Sequence, residues 1–131
     1  MLFNFYKNFI KNIVLDRFDW EQEDIRIVFC YSSYTPDFIN HSSTLDLYNV
    51  IDGFSIPLQN KTLEILDNQI QFKADSIVLN DISVNDLKYV ILINQSKNEL
   101  LCCFDLEIPR KISNGIMRLL WENDCVFKIN F

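Results

Sequence analysis

A short polar segment, SSYTPDFINHSS at residues 32 to 43, holds the side chains of this sequence best suited to chemistry. The only histidine, His41, follows Asp37 by four residues and precedes Ser42 and Ser43. An imidazole beside an acid and hydroxyl groups is the material of nucleophilic catalysis, in which the ring takes the proton of the attacking oxygen. Nothing else in the sequence supplies an orienting partner in a recognisable context. We therefore interpret His41 as a hydrogen-bonding loop residue and predict that the protein is not an enzyme.

Paired acids and glycine-rich loops are the other common marks of catalysis. Asp46 with Asp52, and Asp81 with Asp86, are the residue types used in glycoside hydrolysis. We place all four in short loops, where acids form turns and carry solvated charge. The chain has only two glycines, which excludes the glycine-rich fingerprints of nucleotide binding.

Four cysteines bear on metal binding and redox state. Cys30, Cys102, Cys103 and Cys125 lie in apolar, strand-like segments without a CxxC pair, and a second histidine is absent. A tetrahedral zinc site would need an improbable set of ligands, so we expect no metal and no cofactor. Buried reduced thiols are the favoured interpretation. A disulfide from Cys102 or Cys103 to Cys125 is the alternative, and the even count does not decide between them.

The charge and hydropathy of the chain limit its partners. The formal net charge is −6, and the longest basic cluster is Arg110-Lys111. Phosphate binding needs concentrated positive charge, so we expect neither nucleic acid nor an anionic membrane as partner. No apolar run approaches a membrane span, and the first sixteen residues lack a signal-peptide cleavage site. We expect the protein to stay in the cytoplasm in which it is made.

The apolar pattern predicts one domain over residues 1–131, with a helix followed by strands. Leu2, Phe5, Phe9 and Ile13 have the three-and-four spacing of an amphipathic helix, which we place at residues 1–16. A β-sandwich is expected over residues 24–131. Its first strand starts near residue 24, and residues 43–54 fit either a helical turn or a ragged strand. Further strands are predicted at 54–58, 62–66, 69–73, 76–79, 87–94, 99–106, 115–121 and 125–130.

Turns between these runs indicate antiparallel pairing. LEILDNQIQF turns at Asp67-Asn68, and YVILINQSKNELLCCF turns over its polar centre, NQSKNE. No helix of crossover length separates the strands, so the fold class is all-β, an antiparallel sandwich of the jelly-roll or immunoglobulin-like type with a short N-terminal α-helix. Both faces of 87–94 and 99–106 are apolar. These strands should lie centrally, or one face should meet another subunit.

The segment SSYTPD has the residues of a stop and a turn. Ser and Asp bond to nearby backbone groups, and Pro36 forces Thr35 out of the helical region. Tyr34 and Phe38 would then be aromatic anchors that hold the loop down, or contacts presented to a neighbour. The anchor interpretation is the favoured one.

The chain resembles a family of small tailed-bacteriophage virion proteins, in which a short helix and a strand precede S-S-Y-T-P-D and a nearby histidine. The specific match is IRIVFCYSSYTPDFINH. Weaker matches follow in order: DGFSIPLQNKTLEI, FKADSIVLNDISVNDLKYVILIN, CCFDLEIP and SNGIMRLLWENDCVFKINF. The chain departs from the family in the glycine-rich segment, which is SIPLQ here, and at Leu79, where the family has tryptophan.

This resemblance implies a β-sandwich that works in a virus particle without catalysing a reaction. The implied role is capsid decoration or cement, or a head-fibre subunit, assembled in host cytoplasm and located in the virion. The expected partners are coat or tail proteins and further copies of the chain, as a homo-oligomer or in many symmetric copies. The candidate subunit-contact residues are Ser32, Ser33, Tyr34, Thr35, Pro36, Asp37, Phe38 and His41.

A tail or fibre component is the alternative role. It would act as an adaptor, or would bind carbohydrate on the host surface by stacking exposed aromatic rings on sugars. The aromatic candidates for stacking are Trp20, Tyr34 and Trp121. The competing interpretation is that Trp20 caps the junction between helix and first strand, and that Trp121 closes the sandwich.

Overall fold

Alternating apolar residues and polar turns build two antiparallel sheets, as seen in a computed structural model that describes residues 1–131. The α-helix is α1 (Lys7–Val14), and two 3-10 turns lie at Thr44–Asp46 and Glu122–Asp124. The strands are β1 (Leu2–Phe5), β2 (Ile25–Tyr31), β3 (Val50–Pro57), β4 (Thr62–Ile65), β5 (Gln69–Lys73), β6 (Ile77–Asn94), β7 (Glu99–Leu119) and β8 (Cys125–Asn130). No helix here has the length and apolar character that crossing a membrane requires.

The strands divide into a five-stranded and a three-stranded sheet. The larger sheet has the order β1-β7-β6-β2-β3, and the smaller has the order β4-β5-β8. Every pairing is antiparallel. The predicted all-β sandwich with a short helix near the N-terminus is therefore confirmed.

Both predicted hairpins form where the turn residues place them. Ile65 lies opposite Ile70 across the Asp67-Asn68 turn, and Asn94 lies opposite Glu99 across the second turn. Asparagine takes the left-handed backbone positions that glycine usually fills, because its short amide side chain tolerates positive φ. The asparagines with positive φ are Asn49, Asn60, Asn98, Asn114 and Asn123.

The N-terminal helix is shorter than the predicted 1–16. Residues 2–5 form β1 instead, with Leu2 opposite Asp105 and Phe5 opposite Cys102 on β7. The pairing turns the alternate rings of Phe3 and Phe5 towards Phe127, at centroid distances of 6.3 and 5.4 Å. Apolar spacing alone does not distinguish a helix from a strand at residues 2–5, because the strand forms by pairing with β7 residues about a hundred positions away in sequence.

Four of the predicted strands are parts of two long ones. Segments 76–79 and 87–94 belong to β6, except for residue 76. Segments 99–106 and 115–121 belong to β7, except for residues 120 and 121. Pairing continues through the polar residues between them by means of register shifts, the largest between the pairs Leu87–Arg110 and Tyr89–Asp105. Asp81 and Asp86 consequently lie in β6 and not in a loop, and Asp52 lies in β3.

The larger core fills the space between the two sheets. Trp20 and Phe9 are buried there with Phe72 and Phe127, whose rings stack at 4.4 Å. The indole Nε1 of Trp20 donates to the Lys73 carbonyl at 3.0 Å. Each such aromatic pair adds about 0.5–1.5 kcal/mol beyond the area that it buries.

A smaller core lies on the opposite face of the β6–β7 pair. Tyr89, Ile91 and Cys103 project into it, together with Tyr6 and Tyr34. The predicted segments 87–94 and 99–106 are thus central and largely buried on both faces, and the second face is covered by the protein's own chain.

The cysteines are free thiols, so the disulfide to Cys125 does not form. Adjacent residues of a strand point to opposite faces. Accordingly Cys102 packs in the larger core and Cys103 in the smaller one. Burial raises the pKa of the Cys30 and Cys103 thiols to about 12.

Candidate functional site

The segment after β2, residues 32–41, forms a loop over the smaller core, and we call it the roof loop. Tyr34 points inward and is fully buried, whereas Ser32, Ser33 and Thr35 are exposed. Pro36, Asp37, Phe38 and His41 are partly buried. The structure therefore brings the candidate contact residues together in one loop with an inner and an outer side.

Three side chains link the roof loop to the start of α1. The hydroxyl groups of Tyr6 and Tyr34 lie 2.8 Å apart, and the Tyr34 hydroxyl lies 3.1 Å from Nδ1 of His41. Burial raises the pKa of both tyrosines. Both hydroxyls therefore keep their protons and are available as hydrogen-bond donors at neutral pH.

The ring of His41 has a defined tautomer because backbone groups fix it. The amide of Asp37 donates to Nδ1 at 3.1 Å, so that nitrogen is an acceptor and Nε2 carries the ring proton. It follows that Tyr6 donates to Tyr34 and that Tyr34 donates to His41. One ring nitrogen of the only histidine is thus committed to holding the loop.

Asp37 closes the tip of the roof loop as an Asx-type turn. Its Oδ1 accepts from the amides of Ile39 and Asn40 at 3.1 and 3.0 Å, and its Oδ2 accepts from the Asn40 side chain at 2.9 Å. The Asn40 side chain, followed by its backbone amide, lowers the pKa of the Asp37 carboxyl. These bonds favour the ionised carboxylate and fix the turn that displays residues 39 and 40.

Further bonds hold both sides of the roof loop. Ser32 donates from Oγ to Asp86 on β6 at 2.6 Å, and the amide of Thr35 donates to the hydroxyl of Tyr48 at 2.9 Å. The carbonyl of Phe38 accepts from the amide of Lys7 at 2.8 Å, while its ring packs on Tyr6 at 5.1 Å. The loop is thus tied to α1, to β6 and to the following segment.

The segment after the roof loop ends in a capped 3-10 turn. Oδ2 of Asp46 accepts from the amides of Ser42 and Ser43 at 2.8 and 2.9 Å, and these bonds lower the pKa of its carboxyl. Ser43 Oγ in turn accepts from the amide of Leu45 at 3.2 Å, completing a capping box. This turn holds Leu45 with 91% of its surface exposed.

The residues that could serve nucleophilic catalysis are not assembled for it. The Asp37 carboxylate bonds to Ile39 and Asn40, not to the His41 ring. The Ser43 hydroxyl accepts from a backbone amide in the capped turn. The carboxylates of Asp46 and Asp86 accept from serine groups that hold the local structure. No three His, Cys, Asp or Glu side chains gather closely enough to hold a metal ion. The geometry of this region is that of a fixed surface.

Two features of the site were not visible in the sequence analysis. The exposed aliphatic side chains of Ile39, 71% exposed, and Leu45 stand beside the motif residues and were not proposed as contacts. The S-T-L-D pattern of the capping box was an available signal for the position of Leu45. The anchoring by Tyr6 and Asp86 had no such signal, because both are distant in sequence from the loop.

The three aromatic residues considered for sugar stacking have different environments. Trp20 is 1% exposed and Tyr34 is fully buried, so neither presents a ring face to solvent. Trp20 lies in the larger core and does more than cap the junction before β2. Trp121 is partly exposed, and its Nε1 donates to the Asp75 carbonyl at 3.1 Å. Only Trp121 retains a surface for stacking.

Comparisons with protein-family models, with curated proteins and with solved structures each found no match for this chain.

Proposed function

We propose that this protein is a structural subunit of a tailed-bacteriophage particle, acting as capsid decoration, cement or head-fibre subunit by docking the roof loop on coat proteins. The observation that carries the proposal is the sequence and the fixed conformation of the SSYTPDFINH segment. It matches the most specific motif of the phage family that the chain resembles. It folds here as a surface loop whose conformation is fixed by hydrogen bonds on its inner side. On this proposal the protein is not an enzyme and needs no cofactor.

A preformed loop suits binding because its conformational entropy is already lost on folding, before the partner is contacted. Immobilising a rotamer-rich side chain or a loop on association costs about 0.5–1.5 kcal/mol per side chain. In the roof loop the backbone is held at Ser32, Thr35 and Phe38 by bonds to Asp86, Tyr48 and Lys7. Binding would therefore lose little conformational entropy at these positions.

The outer side of the region offers a mixed apolar and polar surface. Ile39 and Leu45 are 71% and 91% exposed, and Tyr48 is 43% exposed. Ser33, Thr35 and Asn40 supply exposed polar groups among them. Apolar anchors within a polar rim are the usual composition of a protein–protein interface. The proposed partners are coat or tail proteins and further copies in a symmetric particle.

The alternative proposal, a tail or fibre component that binds host carbohydrate, has weaker support. Two of its three aromatic residues are buried, and one ring at Trp121 is a small stacking platform. A glycan array with the wild-type protein and with Trp121→Ala would favour this alternative if only the wild type bound.

The direct test is the location of the protein on purified phage particles. Quantitative mass spectrometry should find a fixed copy number per particle, and a cryo-EM map should place the roof loop against a coat subunit. Finding the protein in lysate but not in particles would refute the proposal.

A pair of matched variants tests whether the roof loop makes the contact. Ile39→Asp places a charge on the proposed surface, and Val14→Asp places the same charge on α1, where the side chain is 77% exposed. We expect Ile39→Asp to fall below a tenth of normal incorporation while Val14→Asp is incorporated normally. Equal incorporation of the two folded variants would exclude this loop as the docking surface.

A further inference from the structure

An apolar cleft lies on the opposite side of β6–β7 from the roof loop. It has a volume of about 470 Å³, its floor includes the buried Leu87, Val90 and Phe104, and Trp121 also lines it. Two aliphatic residues at its rim, Ile116 and Leu120, are 55% and 68% exposed. An open concavity with this much apolar lining is a candidate interaction site.

The rim of the cleft is positively charged although the protein is acidic. Arg110, Lys111 and Arg118 line it, and none of them makes an ion pair, whereas Arg26 and Lys73 are paired elsewhere. Residues 108–121 contain these three cations and no acid, in a chain of net charge −6. Unpaired cations around an apolar floor favour an occupant that is apolar and acidic.

A segment of that chemistry is exposed elsewhere on the same chain. The end of β4 and the turn that follows it, residues 63–68 with the sequence LEILDN, carry two acids and three exposed aliphatic residues. Ile65 is 74% exposed, Leu63 is 40% exposed and Leu66 is 37% exposed. Glu64 is paired with Lys73, whereas Asp67 has no charged partner. We call residues 63–68 the acidic turn.

The cleft and the acidic turn lie at opposite ends of the smaller sheet. Gln69, just after the turn, pairs with Asn130, while Lys73 pairs with Cys125 at the far end. Trp121 of the cleft is bonded to the Asp75 carbonyl, beyond that far end. Four residues of strand span about 13 Å, so a molecule's acidic turn does not reach its own cleft.

We propose that the cleft of one copy receives the acidic turn of a second copy. Ile65 and Leu66 would enter the apolar floor, and the Asp67 carboxylate would approach Arg118 at the rim. Because the two surfaces differ and lie at opposite ends of the smaller sheet, the contact is head-to-tail, and it builds a ring or an open series of copies. The proposal goes beyond the docking role of the roof loop and does not depend on it.

Sedimentation of the purified wild type is the first test. The weight-average mass should rise from the 15.6 kDa of one chain as the protein concentration rises. It should fall again as salt is added, since exposed charges are screened beyond about 10 Å at 0.1 M salt. A wild type that stays at the mass of one chain at every concentration would overturn the proposal, and so would association that salt leaves unchanged.

Two variants test the polarity of the contact. Arg118→Glu damages the cleft and leaves the acidic turn intact, and Ile65→Ser does the reverse; both positions are exposed, so each chain should fold. Each variant alone should associate at least tenfold more weakly than the wild type. An equimolar mixture should form heterodimers and nothing larger, because one intact cleft meets one intact turn.

A charge reversal elsewhere on the surface is the matched control. Arg17→Glu makes the same charge change as Arg118→Glu on exposed surface outside both the cleft and the roof loop, and should associate as the wild type does. Variants that associate like the wild type, or a mixture that stays monomeric, would overturn the head-to-tail contact. Loss of roof-loop docking in particles would leave these results unchanged, so failures of the two proposals are distinguishable.

Discussion

Replacing Tyr34 by phenylalanine removes the central hydroxyl of the chain that joins Tyr6, Tyr34 and His41. The Tyr6 hydroxyl is buried and would lose its acceptor, while Nδ1 of His41 would keep the amide of Asp37. A buried donor left without a partner costs about 1–3 kcal/mol. Tyr6→Phe should cost less, about 0.5–1.5 kcal/mol, because Tyr34 still donates to His41.

The double variant distinguishes a hydrogen-bond chain from simple loss of packing. Removing both hydroxyls leaves no Tyr6 group unsatisfied, so Tyr6→Phe with Tyr34→Phe should destabilise by about 1 kcal/mol less than the sum of the single changes. For 131 residues the unfolding entropy is about 0.28 kcal/mol per kelvin, so 1 kcal/mol corresponds to about 3.6 °C in Tm. Tyr34→Phe should therefore lower Tm by about 4–11 °C.

Urea and thermal unfolding followed by circular dichroism measure these differences. Tyr31→Phe is the control: its side chain is partly exposed and makes no hydrogen bond, so its effect should stay within about 0.5 kcal/mol. Additive single effects, or a Tyr34→Phe cost as small as the control's, would refute the role assigned to the three-residue chain.

The remaining predictions concern the capped turn, one tight turn and the thiols. Acid should release the Ser42 and Ser43 amides: the lowered Asp46 pKa gives stability that is present above the carboxyl's ordinary value of 3.8 and is lost as pH falls through the folded value. Amide NMR shifts should report this, and Asp46→Ala, which removes the accepting oxygens, should show the released state at neutral pH. Asn98, at φ 54°, should tolerate Asn98→Gly, whereas Asn98→Val should cost about 1–2 kcal/mol in urea unfolding; equal costs would contradict the assigned backbone role. In a Cys125→Ser variant, which removes the partly exposed thiol, reagents should label the folded protein at least tenfold more slowly than the unfolded one. Rapid labelling would show that Cys30, Cys102 and Cys103 are not buried.

Local patterns predicted the sandwich because its main elements are made by neighbours in sequence. The β4–β5 and β6–β7 hairpins join apolar runs across short polar turns, and alternation fixes which side of each strand faces the core. A helix near the N-terminus was also predicted, with bounds of 1–16 that proved too wide, since Phe9 and Ile13 share its inner side. These elements require no knowledge of distant partners.

Two sets of predicted element boundaries were wrong because strand pairing with residues distant in sequence decides them. Residues 2–5 become a strand because the edge of β7 is free to pair with them. The stretch between Leu79 and Leu87 stays in β6 because β7 continues alongside it, although only Ile82 and Val84 interrupt a run of polar residues there. In both places tertiary pairing outweighs local preference.

The candidate site was predictable in position but not in orientation. The motif marks the loop, yet only the contact between Tyr6 and Tyr34, 28 residues apart in sequence, decides that Tyr34 faces inward. The cleft was missed because its lining comes from separate parts of β6, β7 and the residues around Trp121. The acid-free stretch at residues 108–121 was its one visible signal.

The neighbouring thiols on β7 give the molecule a natural pair of spectroscopic reporters. The sulfhydryl stretching vibration depends on the local environment, and Cys102 and Cys103 sit a single peptide unit apart yet sample opposite sides of the same sheet. Infrared spectra of single serine replacements would assign one band to each side. Heating the native protein would then reveal whether the two halves of its interior melt together or in succession, without any attached label.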